Sequence, residues 1–224
     1  MAKLILALDV DTFARAKYFI DKLYPRIKIF KIGLQLFIAA GPRAIQYIGK
    51  QEAAAFLDLK FYDIPNTVAS AVRQAVRLQV TMLTLHISSG EEALRMAVSA
   101  CRQEALSLRC RRPLLVGVTV LTSKKTRPQQ VLKLASLALS CGLDGIVCSA
   151  REARLLRQKL GRRFCIITPG IRPRGADAGG QKRIATVEEA VKAGSDYLVV
   201  GRPIIAAADP LQAAKEILAQ SAGE

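Results

Sequence analysis

Short apolar runs alternate with segments of helical periodicity along the whole of this 224-residue chain. Successive runs begin 19 to 33 residues apart, which leaves room for a strand, a crossover helix and their loops. The runs that we expect to be strands are residues 4–10, 29–34, 54–60, 82–88, 114–121, 145–150, 164–170 and 197–202. Eight strands alternating with eight helices predict an α/β fold, a single (β/α)8 TIM barrel in which residues 1–224 form one domain. A doubly wound parallel sheet is the alternative.

The third apolar run ends in charged residues, with the sequence Asp-Leu-Lys-Phe-Tyr-Asp at positions 58–63. Successive side chains of a strand point to opposite faces, so Asp58 and Lys60 are expected to project from the same face. Charged side chains are costly to bury unless they are paired. This cluster therefore indicates chemistry on a substrate that carries or develops charge.

Two more charged residues fall near the predicted first and second strands. Asp9 stands at the end of the first run, and Lys31 lies within the second. In a (β/α)8 barrel the carboxyl ends of the strands form one rim, and active sites lie there. We therefore expect both residues to join Asp58 and Lys60 in a network of alternating charge. Taken singly, Asp9 has the alternative of capping a helix, and Lys31 that of extending to solvent at a barrel end.

The loops after the seventh and eighth strands have the composition of a phosphate site, which is where this fold commonly binds phosphate. They contain Arg172, Gln181, Gly201 and Arg202. Glycine permits a close approach of the backbone, and a guanidinium group can donate to two phosphate oxygens. We interpret the polar, glycine-rich residues 172–182 as a lid, with a surface insertion as the alternative.

The composition narrows the other classes of function. A net charge of +16 makes nucleic-acid binding an alternative. The basic residues are dispersed, however, and few aromatic residues lie among them, so solvated helix faces account for most of this charge. We expect no nucleic-acid partner, although the excess charge can attract an anionic substrate.

The same composition argues against a metal or disulfide framework and against a membrane protein. Five cysteines without Cys-x-x-Cys spacing and a single histidine, His86, predict neither a disulfide scaffold nor a zinc site. No apolar run approaches the roughly 18 residues of a membrane helix, and the N-terminal apolar stretch is too short for a signal peptide. A soluble, cytoplasmic protein is expected.

Several motifs carry a resemblance that runs collinearly over essentially the whole chain. The most specific is Asp-x-Lys-x-x-Asp-Ile-Pro-x-Thr at residues 58–67. The others are Leu-Asp-Val at 8–10, Phe-Lys-Ile-Gly at 30–33, Leu-Thr-Ser at 121–123, Thr-Pro-Gly-Ile-Arg at 168–172 and Val-Val-Gly-Arg at 199–202. Together they resemble the orotidine 5′-phosphate decarboxylase family.

The resemblance implies a lyase that removes CO2 from C6 of orotidine 5′-phosphate and leaves UMP, the last step of de novo pyrimidine nucleotide synthesis, with no metal or organic cofactor. It implies a catalytic tetrad of Lys31, Asp58, Lys60 and Asp63. Lys60 is expected to stabilise the carbanion-like centre and donate a proton. Asp58 is expected to face the substrate carboxylate, and Lys31 to hold Asp58 and a ribose hydroxyl.

The resemblance also implies further binding residues and a homodimer. Asp9 is expected to bind ribose and Thr122 the pyrimidine region. The residues expected at the phosphate are Gln181, Gly201 and Arg202, with Arg172 at the base of the closing lid. The residues expected to enter the active site of the other subunit are Asp63, Ile64 and Thr67.

Two positions depart from a frequent pattern of the family, and one alternative function remains. Gly180 and Val187 stand where Asp and Pro are frequent, which concerns the behaviour of the lid.

The alternative is a sugar-phosphate enzyme of the same barrel suprafamily, of the 3-keto-gulonate-phosphate decarboxylase or hexulose-phosphate synthase type. Those enzymes resemble one another in a second-strand Glu that helps bind Mg²⁺. Here that position is Lys31, and an ammonium group repels a cation.

Overall fold

Eight parallel strands close into a barrel. A computed structural model describes residues 2–120, 126–172 and 184–222 of the chain. The strands follow one another around the barrel in chain order, and β8 pairs with β1 to close it. They are β1 (Lys3–Ala7), β2 (Ile29–Gly33), β3 (Ala54–Phe61), β4 (Met82–His86), β5 (Leu114–Val118), β6 (Gly145–Val147), β7 (Cys165–Thr168) and β8 (Tyr197–Val200). The predicted (β/α)8 barrel is confirmed.

Helices connect the strands on the outside of the barrel. They are α1 (Phe13–Leu23), α2 (Leu34–Ala40), α3 (Pro42–Lys50), α4 (Pro65–Arg77), α5 (Glu91–Ser107), α6 (Pro128–Ser140), α7 (Ala150–Leu160), α8 (Val187–Lys192), α9 (Arg202–Ile205) and α10 (Pro210–Ala222), with a 3-10 turn at Ile87–Ser89. The described residues thus contain more helices than the eight predicted, because the segments after β2 and β8 are each divided in two. Gly41, at φ +57°, ends α2, and Pro42 begins α3.

Polar side chains and prolines fix where several helices begin. Thr12 caps α1, where its hydroxyl accepts a hydrogen bond from the Arg15 N–H at 3.2 Å, so the alternative of Asp9 as this cap is wrong. Ser149 and Thr186 open α7 and α8 with capping boxes. Pro65 begins α4 at the position where a missing N–H costs no hydrogen bond.

The strands are apolar on both faces, as expected for a parallel sheet covered by helices. Outward residues such as Leu4 and Leu6 pack in the layer between strands and helices. The inward layer that fills the barrel consists of Ile5, Ala7, Phe56, Met82, Val116, Ile167 and Val199. Among the described residues no helix is long and apolar enough to cross a membrane.

Most strands end two or three residues before the predicted end. Asp9 lies beyond the end of β1, and Arg202 begins α9 rather than closing β8. The starts were predicted to within one residue, because apolar runs mark where a strand enters the core. The ends differ because residues at the rim leave the ladder to form the mouth of the barrel.

Candidate active site

A cavity of about 270 Å³ opens at the carboxyl ends of the strands. Its inner wall is apolar, formed by Ala7, Phe56, Val118, Val147, Ile167 and Val199. The sequence-predicted site residues that line it are Asp9, Lys31, Asp58, Lys60, Arg172, Gly201 and Arg202. An apolar wall lowers the local dielectric constant, so the charged groups at the mouth act strongly on anything bound between them.

The ammonium group of Lys31 lies between two carboxylates. Its Nζ is 3.3 Å from Oδ1 of Asp9 and 3.4 Å from Oδ2 of Asp58. The Lys31 side chain is only 11% exposed, whereas that of Asp9 is 58% exposed. The alternative in which Lys31 extends to solvent is therefore wrong. Gly33 leaves room for this contact, because a Cβ there would lie 3.1 Å from the Lys31 Nζ.

The end of β3 has an irregular backbone that places Lys60 beside Asp58. The pairing of β3 with β4 shifts register between Leu57 and Phe61, and Lys60 adopts φ +52°, a conformation that costs a non-glycine residue free energy. With this backbone the Lys60 Nζ lies 2.9 Å from Oδ1 of Asp58. Asp58 thus separates two ammonium groups.

Thr84 of β4 supports this arrangement and was not predicted from the sequence. Its hydroxyl accepts a hydrogen bond from the Lys60 N–H at 2.9 Å and donates one to Oδ1 of Asp58 at 3.0 Å. Thr84 is fully buried. The signal available in the sequence was a polar residue two positions after Met82, on the same inward face of an apolar strand.

The charges in this cluster determine one another's protonation. Burial opposes ionisation of Asp58, but the Lys31 and Lys60 ammonium groups outweigh burial, so the pKa of Asp58 is lowered. Burial likewise opposes the charged form of Lys31, and the carboxylates of Asp58 and Asp9 outweigh it, so the pKa of Lys31 is raised. Both groups are therefore ionised at neutral pH.

Arginine and glycine residues from the last two strands form the opposite side of the mouth. Arg172 is buried, and its Nη1 donates to the carbonyl of Ile171 at 2.8 Å. Its backbone N–H donates to the Ala185 carbonyl at 2.9 Å. Gly201 caps α9, and a Cβ there would lie 3.5 Å from Oδ2 of Asp9. The glycine thus keeps the space between the β1 and β8 ends open.

Three predicted residues do not line the cavity of their own chain. Asp63, Ile64 and Thr67 lie on the exposed surface where β3 leads into α4. The Asp63 carboxylate accepts a hydrogen bond from the Ile64 N–H at 2.7 Å. Ile64 is 66% exposed and the neighbouring Tyr62 is 64% exposed. These residues therefore need a second chain if they are to complete an active site.

Two further predicted residues, Thr122 and Gln181, lie outside the described residues, as does Gly180. Val187 is the first residue of α8, directly after the capping residue Thr186. In the described part of the chain no group of three or more His, Cys, Asp or Glu side chains is placed to hold a metal ion.

Comparisons with known proteins agree along the whole length. The model of the "Orotidine 5'-phosphate decarboxylase / HUMPS family" matches residues 2–217. Orotidine 5'-phosphate decarboxylase of Moorella thermoacetica is 45% identical over 230 residues, which cover 97% of this chain and 91% of that protein. The protein of the same name from Aliivibrio fischeri is 47% identical over 226 residues, with 96% and 95% covered. The crystal structure of orotidine 5'-phosphate decarboxylase from Lactobacillus acidophilus matches with a TM-score of 0.86 at 33% identity over 99% of both chains.

Proposed function

The chain belongs to the orotidine 5'-phosphate decarboxylase / HUMPS family, and we propose that it converts orotidine 5′-phosphate to UMP and CO2. This is the last step of de novo pyrimidine nucleotide synthesis. Residues 1–224 act as one catalytic domain, and neither a metal ion nor an organic cofactor takes part. The observation that carries the proposal is the alternating array of Lys31, Asp58 and Lys60 at the mouth of an apolar cavity.

Lys60 is the catalytic ammonium group. When the bond between C6 and the carboxylate breaks, CO2 leaves and its bonding electron pair stays on C6, where no ring carbonyl is positioned to take it up. The Lys60 ammonium group stabilises this pair and then donates a proton to C6, which yields UMP and a neutral amine. The apolar wall excludes water, so the electrostatic stabilisation is stronger than it would be in solution.

Asp58 faces the carboxylate of the substrate. Its lowered pKa keeps it ionised at neutral pH, so the two carboxylates repel each other. Two unit charges about 4 Å apart interact by roughly 4 kcal/mol at an effective dielectric constant of about 20. This repulsion disappears as CO2 departs, so it raises the ground state more than the transition state.

The remaining residues bind the ribose and the base. Lys31 holds Asp58 in place and donates to a ribose hydroxyl, which its position between Asp58 and Asp9 supports. Asp9 accepts a hydrogen bond from the ribose, and the exposure of its side chain leaves it accessible. Thr122 contacts the pyrimidine.

The phosphate binds at the opposite side of the mouth, to Gln181, Gly201 and Arg202. Arg172 lies at the base of a lid formed by residues 172–182. Arg172 and Arg202 both line the cavity, and the net charge of +16 attracts a phosphate dianion. Binding energy gained at the phosphate, far from C6, drives the lid to close and assembles the catalytic site.

A second copy of the chain completes each active site. The partner subunit's Asp63, Ile64 and Thr67 enter the mouth, with Asp63 near Lys60. The exposure of Ile64 and Tyr62 supports this assembly, because large apolar side chains that stand beside one another on a surface favour an interface.

The sugar-phosphate enzymes of the same suprafamily are the alternative. They depend on a Mg²⁺ ion bound near the second strand. In this chain the Lys31 ammonium group already lies within 3.4 Å of both neighbouring carboxylates, so a divalent cation there would meet a like charge. The ion pairs of Lys31 therefore favour the decarboxylase.

The test is the loss of orotidylate absorbance when the purified protein is added, measured with and without excess EDTA. We expect the same rate in both samples. Activity that returns only after Mg²⁺ or Zn²⁺ is added would contradict the cofactor-free mechanism. No loss of orotidylate, together with Mg²⁺-dependent turnover of a sugar phosphate, would instead favour the alternative.

A further inference from the structure

The barrel has a second cavity at the end opposite to the active site, which we call the base cavity. Its volume is about 440 Å³, compared with about 270 Å³ for the catalytic cavity. Its apolar wall includes Ile29, Met82 and Leu114, and its polar wall includes Lys3, Arg111 and Tyr197. The volume lies within the range of small-molecule sites, and the lining combines apolar side chains with polar and charged ones in equal number.

The polar groups of the base cavity are available to a ligand. Arg112 is already engaged, because its guanidinium group binds both oxygens of Asp144 at 2.7 and 2.6 Å. Lys3 and Arg111 are exposed and form no ion pair with any described carboxylate. Burial raises the pKa of Tyr197, so its hydroxyl stays protonated at neutral pH. That hydroxyl makes no hydrogen bond within the described residues and can donate one.

The loops around the base cavity carry an excess of positive charge. Basic residues on them or at the helix ends beside them include Arg26, Lys28, Lys50, Arg109, Arg162 and Arg163. On the same loops the Asp144 carboxylate is paired with Arg112. The Asp196 carboxylate is paired with Arg157. Among the carboxylates on these loops that the structure describes, Glu52 is the one that forms no ion pair. Part of the +16 charge is thus concentrated at the end of the barrel that the proposed reaction does not use.

We propose that the base cavity binds a small phosphorylated molecule with a flat apolar group, which is the chemistry of a nucleotide. Lys3 and Arg111 bind the phosphates, and the Tyr197 hydroxyl donates to a phosphate oxygen. The apolar group lies against Ile29, Met82 and Leu114. The site is independent of decarboxylation, because the two cavities lie at opposite ends of the barrel and share no lining residue.

Calorimetric titration with two probes, ADP and inorganic pyrophosphate, tests this site. The double variant Lys3→Ala/Arg111→Ala should bind ADP at least about 10-fold more weakly than wild type, because charge-assisted hydrogen bonds are lost. The matched control is Lys133→Ala/Arg154→Ala, which removes the same charge from exposed positions of α6 and α7. This control variant should bind ADP with wild-type affinity. The variant Arg202→Ala, which changes the catalytic cavity and not the base cavity, should also bind ADP with wild-type affinity. Pyrophosphate should bind more weakly than ADP, since it has no apolar group.

Cys110 provides a second, site-specific measurement on the unmodified protein. It lines the base cavity and is half-buried, whereas Cys101, Cys141 and Cys148 are buried. Its alkylation by iodoacetamide can be followed by peptide mass spectrometry. At a free ADP concentration about four times Kd, the rate should fall about fivefold, because empty sites decrease as 1 + [L]/Kd. At that concentration the Lys3→Ala/Arg111→Ala variant, whose Kd should be at least about 10-fold higher, should show a fall of no more than about 1.4-fold.

Several results would overturn the assignment. If both double variants lose ADP affinity to the same extent, ADP is attracted by net charge alone. A loss confined to Arg202→Ala would place ADP in the catalytic cavity. No binding, or binding without protection of Cys110, would show that the base cavity is empty of ligand. Pyrophosphate binding as tight as that of ADP would exclude a role for the apolar wall.

Discussion

Asp58 is held by three neighbours at the mouth of the cavity that we propose to be the active site. Its Oδ2 lies 3.4 Å from the Lys31 Nζ, and its Oδ1 lies 2.9 Å from the Lys60 Nζ and 3.0 Å from the Thr84 hydroxyl. A buried carboxylate that loses its partners is strongly destabilising. Substitutions around Asp58 are therefore expected to couple, and their effects on activity and stability should be measured together.

Replacing Thr84 with Val should lower both activity and stability. The volume hardly changes, but the Lys60 N–H loses its acceptor and Asp58 loses a donor. We expect a loss of about 1–3 kcal/mol in the free energy of unfolding, and a kcat about 100-fold lower because Lys60 shifts by about 1 Å. Thr84→Ser keeps the hydroxyl and should retain most of the wild-type stability and most of the wild-type kcat. A Val variant that is destabilised but has wild-type kcat would mean that Thr84 does not position Lys60.

Replacing Asp58 with Asn should change how stability depends on pH. The pKa of Asp58 is lowered from its ordinary value of 3.8. Its ion pairs thus stabilise the fold fully above that value and lose their effect as pH falls through the lower folded-state pKa. The difference in unfolding free energy between wild type and Asp58→Asn should therefore shrink below about pH 4. Lys31, with its raised pKa, contributes stability that is lost only at alkaline pH. A difference that stays constant from neutral pH to about pH 2 would contradict the Asp58 assignment.

Replacing Arg202 with Ala should affect only substrates that carry a phosphate. A guanidinium group donates two hydrogen bonds to phosphate, and losing them should raise KM for orotidine 5′-phosphate about 100-fold. The same variant should act on orotidine, which lacks the phosphate, at nearly the wild-type kcat/KM. Equal losses on both substrates would indicate that Arg202 supports the structure of the barrel end instead.

At the scale of elements, the carboxyl end of β3 departs from a regular strand. Its register against β4 shifts between Leu57 and Phe61, and Lys60 has a positive φ. The strand itself could be predicted, because its apolar residues and the period of two are properties of the sequence. The irregularity could not, because it depends on Thr84, which approaches from another strand. Lysine has no local preference for this conformation.

Comparing Lys60→Gly with Lys60→Ala should isolate the strain in this backbone. Both variants lose the ammonium group and should be nearly inactive. At φ +52° alanine keeps the steric conflict of a Cβ, whereas glycine relieves it. Relief of about 1–2 kcal/mol exceeds the greater chain entropy of unfolded glycine, so the Gly variant should unfold at higher denaturant concentration. If the Ala variant is the more stable, the positive φ at residue 60 is not strained.

At the scale of the whole molecule, the two ends of the barrel differ in how far their side-chain clusters could be predicted from the sequence. The cluster of charges at the rim could be predicted, because Asp9, Lys31 and Asp58 stand at or near strand ends, and strand order brings neighbouring ends together. The base cavity was not predicted, although Lys3, Leu114 and Tyr197 stand at strand starts, because active sites of this fold lie at the carboxyl ends of the strands and residues at the other end are interpreted as structural. Whether Asp63 serves its own chain is a question of assembly, which no pattern within one chain decides.

Mixing two inactive variants tests the shared active site. Lys60→Ala lacks the proposed proton donor, and Asp63→Ala lacks the carboxylate that we propose enters the partner's site, so each should be nearly inactive alone. In a heterodimer one site then carries both substitutions and the other carries neither. Activity should return on mixing, to about half the wild-type value per heterodimer, since an isologous dimer has two equivalent sites. Subunit exchange is monitored separately by mass spectrometry of differently tagged chains. If exchange occurs and the mixture stays inactive, Asp63 acts within its own chain and the sites are not shared.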